Sequence, residues 1–187
     1  MKANSLQELY LGELRDLYDA EHQIIKALPK MISKTSSEEL KSALEEHLEV
    51  TRQQAERLEQ IFENMGEKAK AQKCKGMAGV IDEGNELLKE AEDEDVRDAA
   101  IIASAQKVEH YEMSGYGTVR TWATLLGEEE AANLLGETLN EEKEADQKLT
   151  QIAESINVEA REGDTEEEEV QSTSRGRRSG SRSRRAA

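Results

Sequence analysis

The sequence predicts an all-α protein: two antiparallel helical hairpins joined by a long crossover that carries a short extra helix. Three observations predict it. The composition suits helices, with 21 Ala and one Pro among 187 residues. Apolar residues recur at helical spacing along residues 5–156 and nowhere alternate as a half-buried strand requires. The breaks between helical stretches are unequal, two of them short and the middle one almost thirty residues long.

The first helix spans about Ser5 to Ser33, with Leu6, Leu9, Leu14, Leu17, Ile24, Leu28 and Ile32 on one broad stripe. Ser5 and Glu8 have the spacing of a capping box. Pro29 is expected to kink this helix or end it early, because its ring has no N–H for the preceding turn. The second helix follows Ser36 or Ser37 as cap and runs to about Met65, before Gly66. Its stripe is Leu40, Leu44, Leu58, Ile61 and Met65. The third long helix runs from about Glu94 to Leu126, beginning with the acids Asp93–Asp95 and stopping at Gly127. The fourth runs from about Glu128 to Ile156, with Leu135, Leu139, Leu149, Ile152 and Ile156 inward.

Short connections make each flanking pair a hairpin. The stretch from Gly66 to Asp93 is long enough to return along the bundle and set the second and third long helices parallel. Within it Cys74, Met77, Ile81 and Leu88 have helical spacing, which predicts a short helix lying across the bundle. Two hairpins with one long crossover is ferritin-like four-helix-bundle connectivity rather than a simple up-down bundle.

Composition also excludes several classes. The chain has 41 acidic and 25 basic residues, a net charge of −16, and aromatics at 3%. So few aromatics rule out an aromatic-rich β-sandwich. Cys74 stands alone, which excludes a disulfide framework and a Cys-based zinc site. No apolar run approaches membrane-spanning length, and the N-terminus lacks a secretory pattern. The expectation is a cytoplasmic protein that does not engage a membrane.

The charge is unevenly placed. Residues 159–187 hold seven acids and seven bases, with the run Glu166–Glu169 followed by six Arg between Arg175 and Arg185. This segment has almost no apolar residues and is expected to be a disordered tail, leaving residues 1–158 as the bundle with all the excess acid. The Arg-rich end could make weak contact with nucleic-acid phosphates, but the acidic body and the Glu run oppose it. A solvated extension is the favoured reading.

The informative polar residues interrupt the apolar stripes. Glu21 falls between Leu17 and Ile24. His47 follows Leu44, and Thr51 and Gln54 continue the same line. Glu109 and Glu112 fall between Ile102 and Tyr116, and Glu142 and Asp146 between Leu139 and Leu149. At roughly 1.5 Å rise per residue, Glu21 and His47 lie at similar heights from their turn, as do Glu109, Glu112 and Glu142 from theirs. Each long helix therefore places a carboxylate or imidazole at mid-height. Like charges buried together need protons or cations to neutralise them, and carboxylate-bridged metal pairs do this in four-helix bundles.

A chain with this much acid also places carboxylates on such stripes by chance. Any single one is more often a boundary or salt-bridged residue than a ligand. His22 is expected to be solvated, Glu49 to point outward, and only one of Glu109 and His110 to point straight inward. Tyr18, Tyr111 and Tyr116 are expected to be core aromatics with satisfied hydroxyls. No Glu precedes a His by three, so the usual Glu-x-x-His pattern is missing. A ligand set rich in carboxylate and poor in His suits a dinuclear Fe or Mn site, with Mg or Ca possible.

Several blocks then resemble the YciF/YciE family of bacterial stress-response proteins. They are Asp16-Leu-Tyr-Asp-Ala-Glu21-His-Gln, Ala27-Leu-Pro-Lys30, His47-Leu-Glu49-x-Thr51 and Asp98-Ala-Ala, followed by three more. Those three are Ala105-Gln-Lys-Val-Glu109-His110-Tyr111-Glu112, Tyr116-Gly-Thr118 and Leu139-x-Glu141-Glu142-Lys143-x-x-Asp146. The resemblance covers residues 5–156 and implies a ferritin-like bundle with an extra helix, a homodimer, a link to osmotic and other stress, and a dinuclear metal site. Carried over by position, the implied site is Glu21, His47, Glu109, Glu112, Glu142 and Asp146. Members of that family can carry an acid where this chain has Val50. Two functions compete on these grounds: a metal protein reacting with oxygen or peroxide, and a non-catalytic helical scaffold whose polar layer is structural.

Overall fold

The structure, a computed structural model, describes the backbone of residues 3–179 and the side chains of residues 3–161. Its helices are α1 (Leu6–Ile32), α2 (Glu38–Asn64), α3 (Lys75–Glu90), α4 (Glu94–Leu126) and α5 (Glu129–Ser179). No strand occurs among the described residues, and no helix there is long and apolar enough to cross a membrane.

The ends form where local chemistry favours them. Ser5 Oγ accepts from the Glu8 N–H at 3.1 Å, while the Glu8 carboxylate reaches back to the Asn4 N–H rather than that of Ser5. Ser37, not Ser36, caps α2, and Asp93 caps α4 through the Asp95 and Val96 N–H groups. Gly127 ends α4 with φ 79°, a left-handed conformation that favours a residue without Cβ. Pro29 does not end α1, which continues to Ile32. Near the last turn, the missing proline N–H costs one hydrogen bond and the helix tolerates it.

Side-chain pairs fix the topology. Asp98, near the start of α4, meets Ser36 and Ser37 at the start of α2, so these two helices run parallel. Helices α1 and α5 run the other way. The crossover helix does not lie across the bundle. Asp19 accepts from the Cys74 N–H and Lys30 donates to Asn85, eleven residues further along both helices, so α3 runs lengthwise beside α1. It is antiparallel to α4, where Tyr111 meets Cys74 and Lys107 pairs with Glu83. At Gly76 an added Cβ would stand 2.5–2.8 Å from the Tyr111 ring, so glycine sets how closely these helices approach.

Asp98 is 2% exposed, and its carboxylate accepts from the N–H groups of Ser36 (3.0 Å) and Ser37 (2.7 Å). A residue of α4 thus holds two unpaired donors at the start of α2. Asp98→Ala removes the acceptor that these two N–H groups share at the start of α2 and should cost about 0.5–2 kcal/mol, as loss of a helix cap does. A urea melt of the variant with an unshifted midpoint would contradict this role.

The core is in two parts. One contains Ile24, Leu28, Leu44, Met77, Ile101 and Leu149; the other contains Leu14, Leu17, Leu58, Phe62, Tyr116 and Leu135. Between them, at mid-height, lies a slab of buried polar side chains. On the backbone α5 continues as helix past the boundary expected at 158, to Ser179. The Arg-rich end from 180 onward, and every side chain from 162 onward, lies outside the described residues.

Candidate metal centre

Four helices supply the slab. Helix α1 contributes Glu21, α2 contributes His47, Thr51 and Gln54, α4 contributes Glu109 and Glu112, and α5 contributes Glu142. Glu21 and Glu142 are fully buried, with Glu112 at 1% and Glu109 at 2% exposure. His47, Glu109, Glu112 and Glu142 each offer one ligand atom, and all four atoms lie within 4.8 Å of one another. Glu21 joins this group from the side, with the Tyr116 hydroxyl donating to its Oε1.

These residues converge because of helical rotation. Glu109 and Glu112 are about 60° apart on α4, so both face inward, whereas His110 between them is 68% exposed. Of the six expected ligands, Glu21 stands beside the four-residue group rather than within it, and Asp146 lies outside the layer. It lies about 40° around α5 from Glu142, at the seam with α4, where it accepts from Gln106 at 3.0 Å and sits 3.3 Å from His110 Nε2. Its shorter side chain stops there. Glu49 is exposed and paired with Arg52, as expected. His22 is half-buried rather than solvated, with its ring edge-on to Tyr18 and Nδ1 2.7 Å from the Tyr18 carbonyl oxygen.

Polar residues on the slab's flank orient it. Gln54 donates to Glu142 and, at 3.1 Å, to Glu141. Arg57 holds Glu141 through two hydrogen bonds of 2.8 and 2.9 Å and donates to Thr138 at 2.7 Å. Thr51 is not a ligand candidate, since its hydroxyl donates to the His47 carbonyl oxygen. Sequence reasoning missed Arg57 and the roles of Gln54 and Glu141. The available signal was position: Arg57 follows Gln54 by three residues, beside the stripe that continues to Ile61.

The electrostatics follow from burial. Glu21 is pushed up to about 8, first by burial and then by the charge of Glu142, against the lowering effect of the Tyr116 hydroxyl. Burial, then Glu142, raises Glu109 well above the usual carboxylate range. Burial, then Glu21, does the same to Glu112. His47 goes the other way: burial lowers it, although Glu142 and Glu141 oppose the shift. A neutral imidazole keeps a lone pair on one ring nitrogen. His47 Nε2 lies 3.3 Å from Glu109 Oε1, close enough for an ion pair but not aligned as a hydrogen bond.

The layer is also short of partners. Glu21 Oε2, His47 Nε2, Glu109 Oε2, Glu112 Oε1 and Glu142 Oε2 are all buried with no hydrogen-bond partner. With Gln54 Oε1, likewise buried and without a partner, six such atoms lie in one layer, far from the usual satisfaction of buried polar groups. The donor set fits hard divalent cations, as four carboxylates and one neutral nitrogen match iron or manganese. The charges balance as well, since four ionised carboxylates neutralise two divalent ions.

Known proteins show the same chain pattern. The family described as Domain of unknown function (DUF892) matches residues 5–161. Protein YciF of Escherichia coli (strain K12) is 47% identical over 154 residues, spanning 82% of this chain and 93% of that protein. The crystal structure of the E. coli stress protein YciF superposes with a TM-score of 0.79 at 46% identity, covering 82% of this chain and 98% of that one. A structure of YcfI from Rhodopseudomonas palustris gives a TM-score of 0.78 at 46% identity, covering 79% of this chain and 94% of its own.

Proposed function

The chain belongs to the DUF892 family, the YciF-type stress proteins, and on that footing we propose that its mid-height layer is a dinuclear iron or manganese site that reacts with oxygen or peroxide. The observation that carries this reading is the set of five buried ligand atoms without partners, drawn from all four long helices. A bound pair of such cations supplies two-electron exchange with an O–O bond.

The chain's own residues have separable tasks. Glu21, Glu109, Glu112 and Glu142 would hold the cations, and His47 would add a neutral nitrogen through Nε2. Gln54, tied to Glu142, and the Arg57–Glu141 pair fix the α5 side of the site. The Tyr116 hydroxyl donates to Glu21, and burial, then the charge of Glu21, pushes it well above the usual tyrosine range, so it keeps its proton and holds that oxygen in place. Apolar residues above and below exclude bulk water and strengthen every charge interaction in the layer.

The competing reading is a structural layer in which the carboxyls share protons and no metal binds. The Tyr116–Glu21 and Gln54–Glu142 hydrogen bonds favour it. Metal analysis of protein purified without chelator separates the two. The metal reading expects about two ions per chain and a clear loss in Glu21→Ala. Fewer than about one ion per chain, unchanged in that variant, would sink it.

A further inference from the structure

The layer opens towards the outside on two faces of different chemistry. Between α2 and α5 a cavity of about 170 Å³ reaches His47 and Glu109 past Glu46, Glu141 and Glu144. Two of those acids are already paired, Glu46 with Lys148, which also lines this cavity, and Glu141 with Arg57. On the other face, under the crossover helix, a cavity of about 350 Å³ reaches the same two residues between α1, α3 and α4. Its walls include Ile24, Leu28, Ile81, Leu88 and Val108.

An open pocket of this size falls in the lower range for small-molecule sites. His47 and Glu109 line its buried end. Its mouth carries Lys26 and Lys30. Lys30 donates to Asn85 on α3 at 2.6 Å, and Lys26 makes no ion pair among the described residues. In a chain of net charge −16, an apolar pocket with two cations at its mouth is an exception to the surrounding charge. Along α1 the two lysines stand roughly 8 and 14 Å above the level of Glu21.

We propose that this pocket binds a small monocarboxylate with an apolar body, of the medium-chain acyl kind. The carboxylate sits between Lys26 and Lys30, and the hydrocarbon runs inward to the His47–Glu109 end. This names a substrate class for the metal centre and to that extent rests on that reading, but the pocket itself is built without metal.

Calorimetric titration of the metal-free full chain with octanoate tests it. Saturable one-to-one binding is expected. Reversing both charges (Lys26→Glu with Lys30→Glu) should weaken it by about tenfold or more, equal to about 1.4 kcal/mol. Both side chains are exposed, so that variant should stay folded, with only the modest drop in melting temperature expected from the lost Lys30–Asn85 hydrogen bond. 1-Octanol should bind the parent and the charge-reversed variant alike, and Ala27→Phe should weaken both ligands by filling the cavity. Absence of saturable octanoate binding overturns the proposal, as does binding that neither variant alters. Because the titration is metal-free, octanoate binding without metal uptake removes the metal reading alone. Metal uptake without octanoate binding removes this proposal alone.

Discussion

Adding Mn(II) to the metal-free protein should raise its melting temperature by roughly 5–10 °C. A ligand that binds only the folded state at about a hundred times its dissociation constant adds about 2.7 kcal/mol. For a chain of this size each kcal/mol moves the midpoint by about 2–4 °C. The folded state holds five ligand atoms together in the slab, and unfolding scatters them over four helices. Glu142→Gln keeps the shape of the side chain and removes one charge from the centre of the group. It should abolish most of the rise. Asp146→Asn should leave the rise intact, because Asp146 is held at the α4–α5 seam by Gln106 and His110. Differential scanning calorimetry with and without metal on the three proteins reads all of this. No rise in the parent, or equal rises in all three, would remove the metal site as drawn.

Without metal, the protein should lose stability as the pH rises from about 5 to about 8. Glu21, Glu109 and Glu112 all have folded-state values above the ordinary carboxylate range. Below that range the group is protonated in both folded and unfolded chains, so it adds nothing to the pH dependence. Above it the unfolded chain releases the proton and the folded chain keeps it. Stability then falls with pH until the folded value is passed, at about 8 for Glu21. Each retained proton costs about 1.4 kcal/mol per pH unit across its window. Glu112→Leu removes one of the three, so it should flatten the slope and stabilise the metal-free protein by about 1–4 kcal/mol near neutrality. Urea melts at several pH values measure both effects. A parent whose stability is flat or rising over this window would contradict the protonated layer. With metal bound the dependence should reverse, since protons then compete with cations for the same oxygens.

The two expectations share one cause. The slab places four carboxyls where water cannot solvate them, so something positive must enter. Protons and divalent cations are alternatives for the same sites, and pH selects between them.

Much of this was legible in the residues. The helix bounds fall within a residue or two of capping signals at Ser5, Ser37, Asp93 and Gly127. Connection lengths identified the hairpins and the parallel pair, because a short loop permits only an antiparallel neighbour. Five of the six residues expected in the site do meet in one layer. Asp146 does not, because its spacing from Glu142 marks the same face without resolving the rotation that turns it to the seam. The direction of α3 was not legible either. Its amphipathic spacing shows that one face is buried, and the Asp19–Cys74 and Lys30–Asn85 contacts are what align it with α1.

The sequence by itself determined most of the side chains that turn inward and their height on each helix, because burial periodicity and rise per residue are properties of a single helix; Leu6 and Leu9, exposed at the start of α1, and Asp146 are exceptions. It thereby determined a carboxylate-rich layer in an all-α bundle. Only the tertiary structure decided which of those groups come within ligand distance and which are satisfied by neighbours. It also decided that Gln54 and Arg57 brace the layer and that an apolar cavity lies beneath α3. Those outcomes depend on how helices rotate and approach one another, set by contacts such as Gly76 on Tyr111 and Asp98 on Ser37 that link residues far apart in the chain.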